Sequence, residues 1–225
     1  MTFSIAARCA RTGMVGVAIA SSSPAVAARC AYVRAGVGAV CSQNVTDPRL
    51  GPAGLELLAA GASAEAAVAG LVARAGEHAP WRQLTAVDAQ GRSAAHSGGQ
   101  ALGRHGHATA PDAVAAGNML ADDGVPRAML AAFAAAPEAH LGERLLAAMH
   151  AALALGGEAG PVHSAGLLVA DAQSWPLVDL RVDWSAAPIA DLAALWALWQ
   201  PQMGDYVTRA LAPGRAPSYG VPGDP

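Results

Sequence analysis

The sequence predicts an α+β fold in which two antiparallel β-sheets stack face to face and helices cover both outer sides. Three observations predict it. Strand-like segments alternate in polarity or run apolar over a few residues, and short turns join them. The helical segments fall in groups between groups of strands, an order that suits separate antiparallel layers better than a βαβ series. The chain has 225 residues, 53% of them hydrophobic, and no linker long enough to divide it, so one well-packed core is expected.

Taken in order, Thr2, Ser4 and Ala6 point one way and Phe3, Ile5 and Ala7 the other, at the period of two that a strand requires. Arg11-Thr12-Gly13 is a turn signal, and Val15, Val17 and Ile19 return as a second strand. Ser21-Ser22-Ser23-Pro24 ends that strand in a loop. Tyr32 to Arg34 and Val37 to Gln43 form a hairpin about Ala35-Gly36. Asp47-Pro48 opens a helical region with Leu55 and Leu58, and Ser63 caps a second helix whose inner face carries Val68, Leu71 and Val72.

Arg82 to Asp88 and Arg92 to His96 pair about Gln90-Gly91, and a glycine-rich loop runs from Gly98 to Gly106. Val114 to Asn118 is a short strand. One helix starts at Pro126, and the four-residue spacing of Leu141, Leu145, Met149 and Leu153 marks the next. Ser164 to Asp171 and Pro176 to Trp184 are the last strands. Leu192, Leu195, Trp196, Trp199, Met203 and Tyr206 then mark a single long amphipathic helix. Residues 1–212 are therefore expected to form one domain, with 213–225 an irregular Gly/Pro-rich tail.

Composition narrows the chemistry. The net charge is −3 and no basic stripe exists, so a nucleic-acid partner is not expected. No run of about 18 apolar residues indicates a membrane span. The start lacks a basic region followed by an apolar run, so a cytoplasmic protein is expected. Cys9, Cys30 and Cys41 show neither even number nor CxxC spacing, which argues against a disulfide framework or a zinc site. His105-Gly106-His107, near His96, lies among glycines and reads as a loop, so no metal and no cofactor is expected. All 14 basic residues are arginine. A lysine Schiff base, a lysine general base and a Walker-type phosphate loop are thereby excluded.

Thr2 is small enough at the second position for Met1 to be removed. A terminal threonine then combines a hydroxyl nucleophile with an α-amine, whose ordinary pKa of about 7.7 to 8.0 leaves part of it neutral and basic near pH 7. Gly117-Asn118 ends a strand, where the Asn amide and a backbone N–H suit an oxyanion site or, equally, a turn. Gln43-Asn44 ends another strand; it either binds polar groups of a substrate or makes a turn before Thr46-Asp47-Pro48. His163 beside Ser164 either orients substrate or packs structurally.

Several segments resemble a bacterial family called domain of unknown function 1028. They are Met1-Thr2-Phe3-Ser4-Ile5-Ala6-Ala7-Arg8, Gly16 to Ser21, Arg34 to Val40, Gly51 to Leu58, Ala116-Gly117-Asn118-Met119-Leu120, His163-Ser164-Ala165 and Pro217 to Asp224. The resemblance implies a four-layer αββα sandwich of the N-terminal nucleophile hydrolase type, with Thr2 as the exposed threonine. Many relatives read Ala-Ser-Lys where this chain has Ala20-Ser21-Ser22. Positive charge at the site must then come from an arginine such as Arg8 or Arg34, or hydroxyls and amides must suffice.

The residues expected at the site are Thr2, Gly117 and Asn118 for catalysis, and Ser21, Ser22, Arg34, Gln43, Asn44, His163 and Ser164 for substrate. The expected function is hydrolysis of a small amide or ureido metabolite. The alternative is a non-catalytic relative that binds a small molecule or a partner. A cysteine nucleophile, Cys9 or Cys41, is a weaker third, since neither is terminal. A homodimer is expected through the aromatic side chains of the last helix.

Overall fold

Polarity alternation places each strand face in this computed structural model, which describes residues 1–224. Strand β1 (Thr2–Arg8) pairs antiparallel with β2 (Val15–Ser21) on one side and with β8 (Ala113–Asn118) on the other. With β7 (Gly106–Ala110), β9 (Ser164–Ala170) and β10 (Val178–Val182) they form a six-stranded sheet of order β10-β9-β2-β1-β8-β7. The second sheet has four strands in sequence order: β3 (Ala31–Arg34), β4 (Gly38–Asn44), β5 (Arg82–Asp88) and β6 (Ser93–Ser97). Every pairing in both sheets is antiparallel.

Three buried clusters separate four layers. Phe3, Ile5, Ala18, Ala20, Leu167 and Val169 face outward from the larger sheet. They pack on α4 (Val125–Ala134), α5 (Leu141–Ala154) and α6 (Pro188–Trp199) through Met129, Phe133, Leu145, Met149, Leu192 and Trp196. Val40, Leu84 and Ala86 face outward from the smaller sheet onto α2 (Leu50–Ala59) and α3 (Ala64–Ala75). Between the sheets lie Ala6, Val17, Ile19, Val114 and Leu168 against Ala39, Cys41 and Val87. The architecture is the expected αββα sandwich.

Ser63 caps α3 as its hydroxyl accepts the Ala66 N–H at 3.2 Å, the anticipated cap. Three local features differ from expectation. The loop after the serine run contains a single helical turn, α1 (Ala27–Cys30). The glycine-rich segment ends in β7, an edge strand whose residues are at most half-buried and so carry little apolar signal. The long C-terminal helix is two, α6 and α7 (Met203–Leu211), because Pro201 offers no N–H and its ring crowds the preceding turn. In the tail, Pro213–Arg215 make a turn of 3-10 helix, and the Arg209 guanidinium lies 3.9 Å from the centre of the Tyr219 ring. No helix is long and apolar enough to cross a membrane among the described residues.

Candidate active site

The space between the sheets changes character from one end to the other. Its apolar residues give way, at the end where β1 begins, to inward-facing hydroxyls and amides. Thr2 pairs with Asn118, Phe3 with Ala20, and Ser21 with Ser164. Asn118, Thr2, Ser21 and Ser164 therefore form one row across β8, β1, β2 and β9. All four are buried, Thr2 being 5% exposed and the others 0%.

Thr2 Oγ1 donates to the Met1 carbonyl oxygen at 2.5 Å and stands 3.4 Å from Ser21 Oγ. The Ser21 hydroxyl donates to that same carbonyl oxygen. Ser21 Oγ also lies 2.8 Å from Ser23 Oγ, which accepts from Arg29 Nη2 at 2.7 Å. Ser164 Oγ donates to the Ser23 carbonyl at 2.6 Å and accepts the Val26 N–H at 3.2 Å, which pins the 22–26 loop over the row. The cation tied into this cluster is thus Arg29, which sequence reasoning missed. Its place four residues after Ala25, in a helical turn that the serine run conceals, gave no warning.

Below the row lies a buried amide network whose polarity the carbonyls determine. Gln83 Nε2 donates to the backbone oxygens of Gly117 at 3.0 Å and Gly106 at 3.2 Å, and to Ser97 Oγ at 2.9 Å. Carbonyls only accept, so Gln83 Oε1 must be the acceptor for Gln43 Nε2 at 2.8 Å and Asn118 Nδ2 at 3.1 Å. Gln43 Oε1 is then left for the Ser4 hydroxyl at 2.6 Å. Asn118 directs its amide N–H inward, and its Oδ1 is buried with no hydrogen-bond partner among the described residues. Gly117 is required by close packing, since a Cβ there would stand 2.5 Å from a Leu120 methyl. Ser4 and Gln83 were also missed. Their signal is available in the pairing pattern: the inward positions at one end of β1, β2, β4, β5, β8 and β9 are all polar.

Glu158 closes the site from a third side. It follows two glycines at positive φ, Gly156 (88°) and Gly157 (59°), and forms an isolated bridge with Leu120 just beyond Asn118. Its carboxylate is 3% exposed and receives the Ser22 N–H on both oxygens at 3.2 Å. Burial pushes its pKa up to about 7, opposed by the positive amino terminus and the Ser22 hydrogen bond. The Met1 side chain packs against Gly160, where a Cβ would stand 3.3 Å from the Met1 Cε. Met1 thus lies over the Thr2 and Ser21 hydroxyls, held by its carbonyl.

The remaining expected residues lie around or away from this cluster. Ser22 contributes its backbone N–H to Glu158. His163 donates its backbone N–H to the Ser21 carbonyl at 2.8 Å, and its ring stacks on Trp184 with centroids 4.3 Å apart. Asn44, at φ 72°, donates to the Trp81 carbonyl at 2.6 Å and accepts the Leu102 N–H at 3.2 Å, so it braces two loops. Arg34 is not part of the cluster. It sits at the other end of the smaller sheet, paired with Glu56 at 2.6 Å. Arg8 is likewise remote, paired with Asp112 at 2.8 Å. Cys41 is buried between the sheets and its thiol is pushed up to about 12 by burial, which leaves it protonated and weakly nucleophilic at neutral pH.

Fold and site together define a four-layer αββα protein with a hydroxyl–amide cluster where an inner strand begins, one residue from the amino terminus. The chain belongs to the family of unknown function DUF1028, whose model matches residues 2–192. A crystal structure of a protein of that family from Silicibacter pomeroyi is similar at a TM-score of 0.82, with 33% identity over 92% of this chain and 91% of that one. Anbu, an ancestral beta-subunit from Yersinia bercovieri, aligns at a TM-score of 0.40, with 12% identity over 89% of this chain and 96% of that one. No curated protein matches the chain.

Proposed function

We propose that the protein is an N-terminal threonine amidohydrolase acting in the cytoplasm on a small amide or ureido metabolite, once Met1 has been removed. One observation carries this: the Thr2 and Ser21 hydroxyls both donate to a single carbonyl oxygen, that of Met1. A substrate carbonyl entering in its place meets a nucleophile and a hydrogen-bond donor already oriented.

The chemistry follows from the groups present. The free α-amine of Thr2 takes the proton from Oγ1 as the oxygen forms its bond to the substrate carbonyl carbon. Ser21 Oγ–H donates to the developing oxyanion, with the second Asn118 N–H as a further donor. The carbon–nitrogen bond breaks, and the proton passes from the α-ammonium to the leaving nitrogen. Water then adds to the threonine ester with the amine again as base, releasing the acid and restoring Thr2. Arg29, linked through Ser23 to Ser21, supplies the fixed positive charge that no lysine in this chain provides.

A non-catalytic small-molecule-binding protein is the second reading, favoured by the 5% exposure of Thr2 with Met1 in place. Intact mass of the protein purified from its own start codon separates the two, because a retained Met1 removes the base. Assay of the processed protein against a panel of small amides and ureido compounds then tests turnover directly. The proposed assembly is a homodimer. Trp196 and Trp199 pack against the protein's own core, so the contact falls to the exposed Leu198, Tyr206 and Leu211, and light scattering at micromolar concentration tests it.

A further inference from the structure

Met1 is itself an α-aminoacyl group bound in the site. Its carbonyl oxygen accepts from Thr2 and Ser21, its side chain packs at Gly160, and its ammonium lies within electrostatic reach of the buried Glu158. An acyl group passed from the Thr2 nitrogen to Oγ1 moves by only a bond or two, so the place that Met1 takes against Thr2, Ser21 and Gly160 is also where the acyl half of a substrate must lie. We infer that Glu158 anchors a cationic nitrogen on that acyl half, and that the substrate class is an α-aminoacyl amide with a free amino group. This rests on the proposed role of Thr2 as nucleophile.

The balance of bonding groups points the same way. Glu158 is 3% exposed, and the Ser22 N–H is the hydrogen-bond donor it receives. A buried carboxylate with spare lone pairs favours a charged donor strongly. The Asn118 Oδ1, without a partner among the described residues, adds a second acceptor to the row. The guanidinium tied to the row, that of Arg29, is occupied by Ser23 Oγ and the carbonyls of Pro24 and Ala25, which leaves the row, among the described residues, no free cation to receive a substrate carboxylate. Removal of Met1 moves the amino terminus one residue inward, onto the Thr2 nitrogen that serves as base, and the acyl half of a substrate would bring its own ammonium to where the Met1 ammonium stood within electrostatic reach of Glu158.

The test uses protein prepared from a cleavable fusion that leaves Thr2 as the first residue. The probes are methioninamide, N-acetylmethioninamide and 4-(methylsulfanyl)butanamide, which lacks the amino group. In a Thr2→Ala background, calorimetry should show methioninamide binding at least about tenfold more tightly than either neutral probe, an ion-pair-sized preference. Glu158→Gln, which keeps an acceptor for the Ser22 N–H, should abolish that preference and leave the neutral probes unchanged. If Glu158→Gln does not fold, Glu158→Asp decides: the preference should persist with weaker affinity. Equal binding of charged and neutral probes, no binding of any, or indifference to both substitutions overturns the anchor. Methioninamide that binds with the expected preference yet is not hydrolysed by the Thr2 protein supports the anchor and rejects Thr2 as nucleophile.

Discussion

The two ends of β1 are built on opposite principles. At its last residue, Arg8 pairs with Asp112, Arg11 lies 3.6 Å from Glu138, and Arg144 stacks on Phe133, around an open cavity of about 390 Å³. At its first residues, Thr2 and Ser4 face neutral hydroxyls and amides, with one carboxylate, Glu158, alongside. The Arg8 end has the charge and the volume: carboxylates answer two of its three guanidiniums, Arg144 meets only the carbonyl and ring of Phe133, and the Arg8 Nε is buried without a partner among the described residues. The Thr2 end has spare acceptors: the Asn118 oxygen, without a partner among the described residues, and a buried carboxylate whose one backbone donor, the Ser22 N–H, leaves it lone pairs. The spare groups differ in kind: buried acceptors beside a hydroxyl nucleophile at one end, guanidinium donors around an open cleft at the other.

The largest expected effect separates the ends by activity. Thr2→Ala, processed so that the substituted residue comes first, should lower kcat/KM by about a thousandfold or more with the circular dichroism spectrum unchanged. Arg8→Gln should leave it within about twofold. Comparable losses from both would remove the functional distinction between the ends.

The amide network should matter next, and to stability. Gln83→Ala leaves Gln43 and Asn118 without their acceptor and the Gly106 and Gly117 carbonyls without their donor. A loss of roughly 2 to 4 kcal/mol is expected by urea denaturation, the scale for stranding buried polar groups. A loss under about 1 kcal/mol would mean that water replaces the side chain.

Glu158 should give the Thr2 end a pH signature. Its folded pKa, raised by burial to about 7, lies above the ordinary 4.5, so the folded chain holds this proton more tightly between those values. Stability from this group is therefore full below about 4.5 and falls as pH rises to 7, by on the order of 1 to 3 kcal/mol. In the Met1-bearing chain, Glu158→Gln should be the more stable protein at pH 7.5, and it should lack that part of the decline in Tm between pH 5 and 7.5. Parallel Tm profiles for the two proteins would show that burial costs the carboxylate little.

The smallest effect belongs to the Arg8 end. Asp112 holds φ 63°, a conformation that Asn tolerates well, so Asp112→Asn removes the charge with little backbone strain. Since both partners are partly exposed, the change should cost less than about 1 kcal/mol. A larger loss would make this pair a structural element in its own right.

Alternation is what made the layers legible. Phe3 and Ile5 against Thr2 and Ser4 tell which face of β1 meets helices, and the same pattern in β2, β8 and β9 places Ser21, Asn118 and Ser164 beside Thr2. Gln43 could be placed at the site from the end of its strand; Gln83 could have been, by asking which inward residue faces it across the ladder. Glu158 could not. It lies in a Gly-Gly-Glu loop with no period, and its importance comes from chain returning over Asn118 and Ser22 from more than 30 residues away in sequence. Arg34 illustrates the converse failure: a cation near a family-like motif was weighed without its register, and the register puts it at the far end beside Glu56.

The absence of lysine has a practical side. With none in the chain, the amino terminus is the protein's sole alkyl primary amine. An amine-directed reagent, an activated ester or an aldehyde with reductant, would mark one nitrogen per molecule, and with Met1 in place that nitrogen lies within electrostatic reach of Glu158. Cleavage of Met1 shifts it one residue inward, onto the row itself. The rate at which it is marked would therefore report, without any substrate, how accessible the terminal nitrogen is and whether it belongs to Met1 or to Thr2.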